Sequence, residues 1–420
     1  MKKLILPIYI ILNIIYVVIA SYLNITNLLS YNKFSKSYIV FLILNIVIIL
    51  LFLIIKKEKM SLSIIDIFLI CIIFFSIISV IFAIKIDVAL FGVDGRYEGL
   101  FQILYYFSLY FLSTYIEKKY KKIVVYFIIL FGLLELVYAV FQILKIDGVI
   151  RMYHKGKIWA TGFTTNPCFF SAYMLLCICY SIGLFIDSKI SLINFINIFL
   201  IFLFMIGLLI SNAMSGIVGL IIVLTYLIIY CIKNKKYKKV VSIFMLLTIS
   251  VLLISCSNLT TLIKDIKMTS FEVEEISKGN INDKYGTRRI YIWKNTLKIV
   301  PKNIINGVGI DNFYYAFGDQ PLSKNSFFYD KAHNEYLQIL ICEGIFAFIS
   351  YLLFYGFIVI VGIKNSFKNN EIYLILPVIG YLVQAFFNIS VIEVAPFFYI
   401  SLGLLVDRKN NCNFRLLNNS

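Results

Sequence analysis

The sequence predicts an all-α polytopic membrane protein of about twelve transmembrane helices, with one long external loop that contains an amphipathic helix. Three observations predict it. First, 61% of the 420 residues are apolar and only 15% are charged, where a soluble domain carries about 25% charged residues, so a water-soluble enzyme is excluded. Second, the apolar residues fall into runs of about 20, the length that crosses a bilayer as a helix. Third, the excess of 39 Lys and Arg over 22 Asp and Glu is gathered in short clusters between those runs.

The runs lie near 4–22, 38–55, 62–84, 99–116, 123–144, 167–186, 190–210, 216–232, 239–256, 336–363, 371–389 and 394–406. The last is short, and the last pair also reads as one re-entrant unit. The chain thus divides into about nine N-terminal spans in 1–256, a large external loop in 257–335, and C-terminal spans with a cytoplasmic tail in 336–420. Lysine clusters fix the orientation. Lys2–Lys3, Lys56–Lys59, Lys118–Lys122, Lys233–Lys239, Lys364 with Lys368, and Arg408–Lys409 fall on one side. By the positive-inside rule that side is cytoplasmic, and both termini lie there. Met1-Lys2-Lys3 before an apolar run mimics a signal peptide, but the run is long and no A-x-A site follows, so it reads as a retained span.

A charge of +17 first suggests nucleic acid. The clusters cap helices where they meet anionic lipid, so that class is set aside. The eight Cys lie mostly in spans with no CxxC pair, which implies neither a disulfide framework nor a zinc site. There is no HExxH and no Asp-x-Asp, and 24–36 has no Asp or Glu, so no metal and no cofactor are expected.

The loop 257–335 is the only long hydrophilic segment, and it opens on a mixed-charge stretch. From Arg288 a helix is expected in which Ile290, Trp293 and Leu297 share one face, suited to the membrane interface with Trp at headgroup depth. Pro301 ends it, and Gly307-Val308-Gly309 makes a tight turn. Arg288 and Arg289 at the helix start bind either lipid phosphates or a diphosphate leaving group. Guanidinium forks match phosphate oxygens, and the helix dipole there favours anions. His333 stands at the mouth of the next span, where the dipole disfavours imidazolium and promotes the proton-accepting form. Glu135 lies mid-span, as a structural pair or as the kind of carboxylate a proton-coupled transporter needs. His154 reads as a solvated loop residue, with Lys155 and Lys157 near any anion.

Residues 287–344 resemble the core of the O-antigen polymerase and ligase family of membrane glycosyltransferases. The matching pieces are Arg289 with Trp293, Pro301, the Gly307-Val308-Gly309-Ile310-Asp311-Asn312-Phe313 turn, and His333-Asn334 with Leu337 and Gly344. Gly162-Phe163-Thr164-Thr165-Asn166-Pro167 with Ala172-Tyr173, Gly95-Arg96-Tyr97-Glu98-Gly99-Leu100, and Gln384 to Asn388 are similar to further family motifs. The resemblance implies a GT-C-like fold and an inverting glycosyltransferase in the bacterial cytoplasmic membrane, with its active site on the external face. Such enzymes move saccharide from a polyprenyl diphosphate donor to a glycan or other hydroxyl acceptor, as polymerase or ligase of cell-surface polysaccharide. Carried over, His333 is the general base, and Arg289, with Arg288 and Arg96, binds the donor diphosphate. Asn334, Arg151 and Glu135 are candidates for acceptor contacts or support. One departure stands out: where the family has a Ser-Arg pair, this chain has Ser211-Asn212-Ala213-Met214. Two alternatives stay open: a transporter or flippase for lipid-linked oligosaccharide, and a protein oligosaccharyltransferase.

Overall fold

A computed structural model describes residues 4–26, 31–56, 63–93, 96–146, 159–318, 329–406 and 408. Among them the fold is all α, with no β-strand. In chain order the helices are α1 (Ile5–Ile25), α2 (Tyr31–Lys56), α3 (Ile64–Ile81), α4 (Ile86–Phe91), α5 (Leu100–Ser113), α6 (Lys118–Ile143), α7 (Pro167–Asp187) and α8 (Ser191–Ile210). They continue with α9 (Met214–Lys233), α10 (Tyr237–Ser277), α11 (Arg289–Ile299), α12 (Phe313–Phe317), α13 (Glu335–Asn369), α14 (Ile372–Ala385) and α15 (Ala395–Leu405).

Each expected apolar run coincides with a helix. By length and composition α1, α3, α6, α7, α8, α9 and α13 can each cross a membrane. Shorter apolar helices occupy 37–52 within α2, and α5, α14 and α15. This is a polytopic membrane fold; among the described residues seven helices meet the length and composition needed, so the expected twelve spans are not confirmed. α7 is its axis, buried along its whole apolar length and packed on α8, α9 and α14. α13 packs on α3, and α15 on α5.

Among the described residues, Arg408, Lys118 and Lys236 of three of those clusters are engaged at one end of the bundle. There Arg408 pairs with Asp66 at the start of α3 and donates to Thr114 beyond α5. Lys118 reaches Glu371 before α14, and Lys236 reaches Asp187 at the end of α7. The starts of α5, α7 and α13 therefore lie at the opposite end. Two details differ from the sequence reading. The mixed-charge stretch after 257 is no separate segment, because α10 runs unbroken through it to Ser277. The face of α11 buried in the protein is Ile292, Asn295, Thr296 and Ile299, while Leu297 is exposed. Trp293 is turned inward because its indole N–H finds a backbone carbonyl there, at Ala332.

Candidate active site

The site is assembled on a kink. Gly344 takes φ 84°, ψ 176° inside α13 and interrupts the helical ladder. The turn after α11 repairs the damage. Val308 N donates to Ile341 O at 3.0 Å, Gly309 N to Cys342 O at 3.0 Å, and Ile345 N to Ile304 O at 2.7 Å. Ser79 Oγ of α3 donates to Cys342 O as well. A buried helix break is tolerated when its freed groups find such partners. Contact this close needs glycine on both sides: a Cβ on Gly344 would stand 2.2 Å from Ile305 O, and one on Gly307 2.1 Å from Cys342 O.

The same turn organises the loop that carries Arg96. Asp311 Oδ2 accepts from Val93 N at 2.7 Å and from Glu98 N at 3.3 Å. Asn312 accepts from Lys85 N at 2.8 Å and donates back to Lys85 O. Asp311 also forms a fully buried ion pair with Lys331. Burial pushes the Lys331 ammonium down, but Asp311 and Glu98 outweigh it and raise it above its ordinary value. Glu98, bonded to Tyr106 at 2.6 Å, is pushed up to about 7 by burial. A cavity of about 60 Å³ lies here, lined by Glu98, Tyr106, Asp311, Lys331 and Glu335 among others. That is room for water molecules.

Two residues beyond Lys331 stands His333, whose backbone is left-handed at φ 49°. Both sides of it are pinned. Trp293 Nε1 donates to Ala332 O at 3.0 Å, and Ala332 N donates to Gln338 Oε1 at 2.8 Å. On the other side Asn334 caps α13, its side chain accepting from Leu337 N at 3.0 Å. The imidazole therefore sits just ahead of a helix N-terminus, partly buried. Burial, then Arg289, with Arg96 and Lys331 adding, lowers it to about 4, while Asp330 opposes. At neutral pH it is the free base.

Both arginines rest on the first turn of α7. Arg96 lies 5.6 Å from the Phe169 ring centroid, and Arg289 bears on the neighbouring Cys168 thiol. Asn166 caps that helix, accepting from Cys168 N, with Pro167 at its first position. Gln384 and Asn388 donate to Cys168 O from beyond, at 3.4 and 3.2 Å. Glu135 and Gln142 of α6 hold the preceding loop: Glu135 Oε2 accepts from Phe163 N at 2.6 Å, and Gln142 bonds Thr161 and Gly162. Glu135 is thus spent on supporting the loop.

Arg289 Nη1 donates to Gly286 O and Thr287 Oγ1, while its Nε is buried with no hydrogen-bond partner among the described residues. Such an orphaned guanidinium donor is costly and asks for an acceptor. Arg96 Nε donates to Asp330 Oδ2 at 2.6 Å. Burial pushes the Asp330 carboxyl up, but Arg96 outweighs it and holds it below its ordinary value. Arg288 is half-buried, with a left-handed backbone at φ 69°, and donates to Tyr329 OH at 3.5 Å. Of the residues singled out from sequence, the fold brings Arg96, Arg289 and His333 together and makes Asn334 a cap. Arg151, with His154, Lys155 and Lys157, lies outside the described residues. Asp330, Lys331, Asp311 and Glu98 were not foreseen as members. Asp330 and Lys331, immediately before His333, were the available signal. Among the described residues no three His, Cys, Asp or Glu side chains are grouped to hold a metal ion.

Residues 199–352 match the family model described as O-antigen ligase. The resemblance read from the motifs is therefore borne out for the stretch that holds Arg289, the glycine turn, His333 and Gly344. Arg96 and the 162–167 loop lie outside the match. No curated protein matches the chain. The family match supports a function of O-antigen ligase or polymerase type in polysaccharide assembly, by a glycosyltransferase-like enzyme.

Proposed function

Starting from that resemblance to O-antigen ligases, we propose that this chain transfers saccharide from a polyprenyl diphosphate donor to a hydroxyl acceptor with inversion, on the external face of the bacterial cytoplasmic membrane. The observation that carries the reading is the buried, unpartnered Nε of Arg289 beside Arg96 and a neutral histidine. Arg289 bears both on Cys168 in the first turn of α7 and on His333 just ahead of α13. Two helix N-termini and two guanidinium groups form an anion site, and the orphaned donor supplies its missing specificity.

The chemistry follows from that arrangement. The donor diphosphate takes Arg289 and Arg96, with Arg96 standing in for the arginine absent at Met214. The acceptor hydroxyl loses its proton to His333 as its oxygen forms a bond to the anomeric carbon. The bond from that carbon to the diphosphate oxygen breaks on the opposite face, which inverts the configuration. Charge that grows on the leaving diphosphate is met by guanidinium groups and needs no metal ion. Arg288 sits at the rim, where it meets the donor lipid's phosphate first. Glu135, the residue a proton-coupled transporter would use, is occupied by Phe163 N. In a strain lacking the protein, His333→Ala and Arg289→Ala should each abolish glycan extension or transfer while the protein still inserts. Normal glycan from both variants would refute the mechanism.

A further inference from the structure

We propose that Asp330 is a positioning residue that changes partner during turnover: it holds Arg96 while the donor site is empty and serves His333 once a diphosphate has taken Arg96. This rests on the reading of His333 as base and Arg96 as diphosphate contact.

The geometry sets up the exchange. Asp330 lies three residues before His333 and is bound to Arg96 at 2.6 Å, with the two side chains 35% and 21% exposed, so a ligand can reach the pair. A carboxylate on an arginine occupies the position of a phosphate oxygen. Lys331 cannot compete for Asp330, being buried against Asp311. Around His333 stand Arg289 from α11, Arg96 from the loop before α5, and Lys331 and Asp330 from its own segment. Glu393, from the turn before α15, faces Arg96. The fold thus surrounds the imidazole with three cations and one anion that is already engaged. A diphosphate neutralises both arginines and frees Asp330 to face His333. Each change strengthens the base. The histidine gains proton affinity only when the donor is in place, so an acceptor or stray water is not activated in its absence.

The test uses the full-length protein in vesicles with a polyprenyl diphosphate-linked glycan, at saturating acceptor. In the wild type, the acid limb of kcat/KM for donor reports the empty site and that of kcat the loaded one. The kcat limb should lie at least one pH unit above the kcat/KM limb, and coincident limbs overturn the proposal. Asp330→Asn should bind polyprenyl diphosphate about three- to tenfold tighter, because a partly exposed pair no longer competes. Its kcat should fall about three- to tenfold and its kcat limb should move to lower pH, since the anion beside the base is lost. Asp330→Glu should restore the limb. An unmoved limb with unchanged affinity in Asp330→Asn overturns the exchange while leaving the base intact. Activity retained in His333→Ala removes the reading beneath it as well.

Discussion

Replacing Glu135 separates a supporting carboxylate from a proton carrier. Its Oε2 accepts from Phe163 N at 2.6 Å, both groups being buried, and Phe163 belongs to the loop that sets the start of α7. Alanine leaves that N–H without its acceptor, a cost of about 1–3 kcal/mol. Glutamine keeps a carbonyl oxygen in the same place and should cost less than about 1 kcal/mol. Where the loss falls on the loop that seats both arginines, about 1.4 kcal/mol corresponds to a tenfold drop in turnover. Thermal unfolding in detergent and transfer in vesicles should therefore show Glu135→Gln close to wild type. Glu135→Ala should be less stable and roughly tenfold slower. If Glu135→Gln is as inactive as His333→Ala, the ionisable carboxylate itself is required, and the transporter reading regains its ground.

The remaining predictions concern the scaffold of the site. Gly344→Ala should lower thermal stability by more than about 1–3 kcal/mol, because that backbone region is nearly glycine-only and the new Cβ would strike Ile305 O at 2.2 Å; a wild-type melting curve would show that the kink is not needed. Lys331→Met should destabilise by about 3–5 kcal/mol by leaving Asp311 charged and alone, and adding Asp311→Asn should recover part of it. No recovery in the double variant would mean that the pair is not the source. Trp293→Phe keeps the edge-on ring contact with Phe386 but removes the bond to Ala332 O, worth about 0.5–1.5 kcal/mol. It should lower kcat more than it changes stability, and the reverse pattern would deny the indole a part in placing His333.

Much of the fold is written in local pattern. Apolar runs and lysine clusters depend only on neighbours along the chain, and each run coincides with a helix. His333, Arg289 and Arg96 are also readable, because each stands at the edge of an apolar segment in a recognisable setting. What holds them together is not local. The pairing of Asp311 with Lys331 and with the amides of Val93 and Glu98 joins segments some 20 to 220 residues apart in number, and no spacing rule announces it. In sequence Asp311 and Asn312 read as part of a turn; in the fold Asp311 holds the Arg96 loop and Asn312 holds Lys85 ahead of α4. The buried face of α11 was misplaced for a related reason. Spacing alone grouped Trp293 with Leu297, whereas the indole N–H follows its hydrogen-bond partner inward. The break at Gly344 is masked in sequence by the apolar residues that surround it.

The central claim is that His333 takes the acceptor proton while Arg289 and Arg96 hold a departing diphosphate. Its most direct test is the transfer rate and product anomer with purified protein in vesicles, given a polyprenyl diphosphate-linked glycan of known configuration and a hydroxyl acceptor. An inverted product is expected, with a kcat about 10²–10⁴-fold lower in His333→Ala and a raised donor KM in Arg289→Ala. A retained configuration, or undiminished kcat in His333→Ala, would contradict it.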